Sequence, residues 1–280
     1  MTLPVFYTPR MVADSGSRSP SAAKPAQVVA AWLAEGLAIE IREPAPVTLD
    51  ELCRVHDRSF VEGVLDGRVP NGFGNTSREV AASLAFTSGS MLSAARHAVE
   101  HGGIVAAPCS GFHHAGHRAG GFCTFNGLVV AACALRAEGR AARVGILDCD
   151  MHYGDGTDEL IAHHGLDWVV HYTAGADYHH ARQADEFLAG LPERARAMCD
   201  CDVVLYQAGA DPHVDDPLGG WLTTEQLRRR DELVFETFAS LGVPVAWNLA
   251  GGYQVEPDGS IPRVLEIHAN TARAAIRSSR

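Results

Sequence analysis

Along most of the chain, short apolar runs alternate with longer stretches of helical periodicity. Seven runs read as strands: "PVFYT" (4–8), "LAIEIRE" (37–43), "GGIVAAPC" (102–109), "RVGILDCD" (143–150), "DWVVHYT" (167–173), "DVVLYQAG" (202–209) and "VPVAWNLAGG" (243–252). The stretches between them predict helices near 25–35, 48–66, 78–101, 123–138, 155–164, 182–198, 223–241 and 261–277. Near-continuous apolar strands separated by helices predict an α/β fold with a mainly parallel sheet covered on both faces. No Pro/Gly/Ser-rich linker interrupts the series and no repeat is present, so residues 1–280 are expected to form a single domain. Two polar, irregular segments, 13–25 ("ADSGSRSPSAAKP") and 68–77 ("RVPNGFGNTS"), read as surface loops.

Polar positions concentrate where four of the apolar runs end. Ligands of open parallel sheets bind beyond the carboxyl ends of the strands. "GGIVAAPC" leads into "SGFHHAGHRAGGFCTFN" (110–126), and "RVGIL" leads into "DCDMHYGDG" (148–156). "DVVLYQ" leads into "AGADPHVDDPLGG" (208–220), and "VPVAWN" leads into "LAGGYQ" (249–254). These loops can converge on one cleft although they are far apart in sequence. The second is the most demanding, because ionised carboxylates are rarely buried at a strand end without a partner.

Composition narrows the function classes. A hydrophobic fraction of 46% suits a globular protein with a substantial core. The net charge of −11, with no block of lysine or arginine, argues against nucleic-acid binding. Solubility is the plainest reading of that charge, and attraction for cationic substrates is the alternative. No apolar run is long enough to span a bilayer, and the N-terminus lacks the basic and apolar regions of a signal peptide. The expectation is a cytoplasmic protein whose seven cysteines, none in a CxxC pair, are reduced and mostly buried.

The candidate chemistry lies in the four loops. Asp150, His152 and Asp211 offer one nitrogen and two oxygen ligands. That set leaves a position open for catalysis and suits zinc, with iron(II) or cobalt also compatible. Spacing alone equally allows Asp150 to cap the next helix and His152 to be hydrogen-bonded in its loop. The tandem His113 and His114 can address one water, each oriented by a carboxylate, for which Asp148 and Asp155 are free. Taken alone, the pair is an ordinary polar loop. Tyr253, after two glycines, can donate a hydrogen bond to a developing oxyanion, or simply pack. Together these groups form the equipment for hydrolysing an amide.

The ordered set "GFHHA", "GGFCTFN", "DCDMHYGDG", "AGADPHVDDPLGG" and "LAGGYQ" resembles the histone deacetylase superfamily, which includes acetylpolyamine amidohydrolases and histone-deacetylase-like amidohydrolases. The likeness runs from about residue 103 to 254, and is weaker at "ELCRVHDRSFVEGVLDG" and "PVFYTPRM". The resemblance implies an arginase/deacetylase-like sheet and zinc-dependent removal of an acetyl or related acyl group from lysine, a polyamine or a small amide. Asp150, His152 and Asp211 fall on its zinc-ligand positions. His113 and His114 fall on its catalytic histidines, with Asp148 supporting His113 and Asp155 supporting His114. His114 is the preferred general base and acid. Tyr253 falls on the tyrosine that polarises the scissile carbonyl. Gly121 and Phe122 fall where the family lines its acyl-lysine tunnel, and Leu218 brings an apolar side chain where substrate amines are read. Asp148, Asp150 and His152 also lie at a structural potassium site, and relatives in bacteria suggest self-association.

The chain departs from the pattern in two places. "SRSPSAAKP" replaces a His-Pro-Glu-type run, and "AGADYHHARQADEF" is shorter than the family's segment with its Phe-Pro-Gly-Thr-Gly-like run. The second aromatic wall of the tunnel comes from that segment, leaving Tyr178, His179 or His180 as substitutes and Trp221 as a rim aromatic or a packing residue. A shortened rim predicts a wider, shallower pocket or one completed by a neighbouring subunit. Two other functions compete with the deacylase: a binding protein that takes acylated ligands without turnover, and an arginase-like dimanganese hydrolase.

Overall fold

The computed structural model describes residues 2–279. Each of the seven apolar runs forms a strand: β1 (Leu3–Phe6), β2 (Ile39–Arg42), β3 (Ile104–Ala107), β4 (Val144–Asp148), β5 (Val169–Thr173), β6 (Val203–Gly209) and β7 (Val245–Ala250). They make one sheet in the order β2-β1-β3-β7-β6-β4-β5, and every pairing is parallel. The helices are α1 (Lys24–Ala34), α2 (Leu49–Leu52), α3 (Arg58–Leu65), α4 (Arg78–His101), α5 (Gly127–Ala137), α6 (Asp155–His164), α7 (Ala184–Arg196), α8 (Thr224–Leu241) and α9 (Pro262–Ser278).

Two cores sandwich the sheet, and the alternation of each strand explains them. Tyr206, Ala208, Trp247 and Leu249 face a layer containing Trp32 of α1, Phe187 of α7, Phe235 of α8 and Ile267 of α9. Ile146, Val203, Leu205 and Ala246 face the opposite layer, with Leu92 of α4 and Leu128 and Val129 of α5. Covered on both sides, the central strands have no solvent face to show in sequence, which is why they read as unbroken apolar runs.

Three expectations need correction. The helix expected over 48–66 is two helices, α2 and α3. Thr48 starts α2 with a reciprocal capping box to Glu51, and the chain then breaks at His56. The His56 ring is buried, with Nδ1 3.1 Å from the Gly116 carbonyl and Nε2 accepting the Asn126 N–H at 2.9 Å. That tie pulls the chain out of helical register. The helix expected from 123 begins at Gly127, because the Asn126 side chain caps it by accepting the Val129 N–H. Segment 13–25 is not a surface loop: Ser15, Ser19, Ser21, Lys24 and Pro25 are buried, and α1 begins inside it.

The four strands whose ends carry the polar loops, β3, β7, β6 and β4, are adjacent in the middle of the sheet. The topology therefore gathers all four loops at one edge.

Candidate active site

Asp148 is the last residue of β4 and is fully buried. It does not lack partners. Its Oδ2 lies 2.7 Å from His113 Nδ1, and its Oδ1 accepts the Asp150 N–H at 3.0 Å and the Gln207 side-chain amide at 3.2 Å. Asp155, in the first turn of α6, holds His114 through its Oδ1, 2.6 Å from Nδ1. The two imidazoles lie 4.1 Å apart, centre to centre, and His114 is 5.7 Å from the ring of His152.

Two neighbouring histidines thus carry different charge preferences. Burial opposes a proton on His113, but Asp148, Asp150 and Asp211 outweigh it and hold its pKa up at about 9. Burial and the neighbouring His113 push His114 below its ordinary value, with Asp155 opposing.

Asp150, His152 and Asp211 bring their ligand atoms within 4.8 Å of one another, and no other group of this kind occurs among the described residues. His152 Nδ1 is 3.1 Å from Asp150 Oδ1 and 2.9 Å from Asp211 Oδ2. Asp211 Oδ2 is nevertheless a buried oxygen without a properly directed hydrogen bond. Burial also disfavours the Asp150 charge, but His113 and His152 hold its pKa below the carboxylate range. Burial and the Asp150 charge push Asp211 up to about 7. The unpartnered Asp211 oxygen, beside the donors of Asp150 and His152, fits coordination of a divalent cation. Asp150 caps no helix: the cap position of α6 is Gly154.

Two glycines permit this density. A Cβ on Gly251 would lie 2.1 Å from Cγ of Asp211, and one on Gly121 would lie 2.5 Å from Cδ2 of His114. Both have positive φ, +49° and +51°, which a side chain rarely adopts. Phe122 follows at φ +64°, the one non-glycine with positive φ among the described residues. Its ring faces that of Tyr253 at 5.8 Å. Phe122 and Tyr253 share a narrow cavity with His113, Asp150 and Gly121. Burial, followed by Asp150 and Asp211, raises the Tyr253 phenol well above 10.

Outside this floor opens a mouth of about 640 Å³ lined by Arg18, Phe122, Pro217, Leu218, Tyr253 and Val255. Leu218 and Val255 are about half exposed. The substitutes considered for the second aromatic wall are elsewhere. Tyr178 is buried, stacked on Trp221 at 5.6 Å and edge-on to Phe187 at 5.2 Å, so Tyr178 and Trp221 are both core residues. His179 and His180 are exposed, with their N–H groups donating to Gln183, and they do not line the mouth. The wall is completed instead by Ser17–Ser19, from the segment that reads as a loop.

Residues 19–174, more than half of the chain, match the histone deacetylase domain family. The chain belongs to that family. Among its relatives, an uncharacterized protein of the cyanobacterium Picosynechococcus is 33% identical over 183 residues, covering 59% of this chain and 61% of that protein. The acetylpolyamine amidohydrolase of Burkholderia pseudomallei is 33% identical over 175 residues, covering 51% of this chain and 49% of its own length. The chain therefore matches about half to three fifths of the length of these two relatives. In three dimensions the likeness to histone deacetylase family members extends further. The crystal structure of the Burkholderia pseudomallei acetylpolyamine aminohydrolase superposes with a TM-score of 0.73 at 21% identity, covering 99% of this chain and 98% of that one.

Three buried groups near the floor escaped sequence reasoning. Lys24 is fully buried, its ammonium donates to the Gly251 carbonyl, and burial lowers its pKa to about 8 against the pull of Asp211, Asp150 and Asp216. Asp216 accepts the N–H groups of Tyr253 (2.8 Å) and Leu218 (3.0 Å), linking floor to mouth. Gln207 steadies Asp148. Each reaches a distant part of the chain, Gly251, Tyr253 and Asp148 respectively, which no local spacing marks. The only available signal was their polarity inside or beside apolar runs.

Proposed function

We propose that the chain is a zinc-dependent amidohydrolase that removes an acetyl or related acyl group from an amine, acting within the cytoplasm as one catalytic unit. One observation carries this reading: the Asp150, His152 and Asp211 donors converge beside two Asp–His pairs. Iron(II) or cobalt fits the same donors.

Asp150, His152 and Asp211 would hold the ion. When bound, it supplies Lewis acidity to the scissile carbonyl and a lowered pKa to water. The side chains around it do the rest. His114 donates Nδ1–H to Asp155, so its Nε2 lone pair is free, and its lowered pKa keeps it neutral at pH 7. It takes the proton of the attacking water and delivers it to the leaving nitrogen as the C–N bond breaks. The products are a carboxylate and an amine. His113, its Nδ1 held by Asp148, turns its Nε2 toward Asp150 and the attacking water, which it helps to orient. Tyr253, kept protonated by its surroundings, donates to the carbonyl oxygen. The backbone at Gly121 and Phe122 receives the substrate amide N–H, and the Phe122 ring and Leu218 flank the chain leading to it.

The test is turnover across acetyl-lysine peptides, acetylpolyamines and aryl amides, before and after chelation. Hydrolysis of at least one substrate is expected, lost in the metal-free chain and restored by zinc. Full activity without metal overturns the proposal. Zinc binding without hydrolysis of any substrate favours a binding protein.

A further inference from the structure

Behind the metal-ligating carboxylates, on the side of the sheet away from the histidines, sits a charged group that the chemistry above does not use. Arg230 of α8 is completely buried. Its Nη1 donates to two carbonyls, Gly209 at 2.6 Å and Cys149 at 3.1 Å, and its Nε donates to Asp231 Oδ1 at 2.9 Å. Asp231 is itself held by the hydroxyls of Tyr206 and Thr271, each at 2.5 Å.

Stability alone does not account for this arrangement. A buried ion pair must overcome its own desolvation, and apolar residues of equal volume often serve as well. The Arg230 Nη2 group has no hydrogen-bond partner, so the network is not even fully satisfied. What sets Arg230 apart is the identity of the two carbonyls. Cys149 immediately precedes Asp150, and Gly209 stands two residues before Asp211. The β4–β6 pairing ends at Asp148 and Gln207, with one further bond from the Cys149 N–H to the Gln207 carbonyl. Beyond that point one guanidinium bridges the two chains that carry the carboxylates. One nitrogen, Nη1, spans both carbonyls while the Nε bond to Asp231 fixes the plane of the guanidinium, an orientation that a lysine ammonium has no second donor to hold.

We propose that Arg230, oriented by Asp231, is a positioning residue that sets the separation of Asp150 and Asp211 and thereby the affinity and geometry of the divalent-cation site. The inference rests on the metal reading above. Groups behind metal ligands commonly change affinity by about 10- to 100-fold when removed.

The experiment measures zinc affinity by competition with a chromophoric chelator, and the visible absorption of the cobalt(II)-loaded chain. Arg230→Met is expected to bind zinc about 10-fold more weakly or worse and to shift the cobalt bands. Arg230→Lys recovers part of the affinity. Thr271→Val, which loosens Asp231 without removing a charge, gives a smaller shift in the same direction and serves if Arg230→Met does not fold. Wild-type affinity and an unchanged cobalt spectrum in folded Arg230→Met, or in both other variants, overturn the inference. A wild-type chain that binds neither ion overturns the metal reading, and this inference with it.

Discussion

The floor of the site and its mouth are built largely from the same loops, yet they follow opposite rules. On the floor, Asp148 has three partners and Asp150, His113 and Asp211 are buried. At the mouth, Leu218, Val255 and Arg18 face solvent, beside an Asp216 that grips two backbone N–H groups. Burial makes each floor residue depend on a specific partner, because an unpaired buried polar group costs free energy. Solvent removes that dependence at the mouth. Substitutions on the floor should therefore act on the chemical step, and substitutions at the mouth on substrate choice.

The largest expected effect is at Tyr253. Tyr253→Phe keeps the ring that faces Phe122 and removes the hydroxyl, so kcat should fall by about 10²–10³-fold with the fold intact. Steady-state kinetics alongside circular dichroism check this. A loss confined to KM would place Tyr253 with the mouth and break the contrast.

The next effect is on stability and pH. Burial lowers the His56 pKa to about 4, against about 6.5 in an unfolded chain. Above pH 6.5 both states are neutral and the group contributes no pH dependence. As pH falls from 6.5 toward 4, the unfolded state takes up a proton that the folded state refuses, so stability is lost, by about 3 kcal/mol at the lower end. Urea unfolding across this range should show the slope, and His56→Gln should flatten it. His268, buried with neither ring nitrogen partnered and its pKa lowered by burial, retains its own share. An unchanged slope in His56→Gln would remove His56 as the tie that holds the histidine loop.

The smallest effect is at the mouth. Leu218→Glu should leave kcat for a neutral aryl amide within about 2-fold, and lower KM for acetylpolyamines by about 2- to 5-fold through one exposed charge pair. Comparing the two substrates is the measurement, and an equal change in kcat for both would mean that the mouth is not separable from the floor.

How far the sequence could be read follows the same division. The central strands were visible because a doubly covered sheet leaves them almost wholly apolar, and the edge strands β2 and β5 were visible from their apolar and β-branched residues despite Glu40, Arg42 and His171. Asp148 and Asp155 were legible as spare carboxylates for the tandem histidines, because buried carboxylates need partners, but which carboxylate holds which imidazole came from the family resemblance and not from spacing. Lys24 and Arg230 were not visible, since they bond backbone carbonyls, which every residue possesses and no spacing reveals. Tyr178 was offered for the rim, and Trp221 was left open between rim and packing, for a related reason: an aromatic ring in a loop carries no sign of whether it caps a core or faces a ligand. The 13–25 segment looked like solvent-exposed chain by composition, yet its serines turn inward and Ser17–Ser19 wall the mouth.

Phe122 has a consequence for anyone who evolves this protein for robustness. A bulky residue at φ +64° carries backbone strain of about 1–3 kcal/mol. A screen that rewards heat resistance alone would therefore favour glycine at position 122, and the winners would have lost the ring beside Tyr253. Selection at that position should be run on turnover and melting temperature together, because there the two pull in opposite directions.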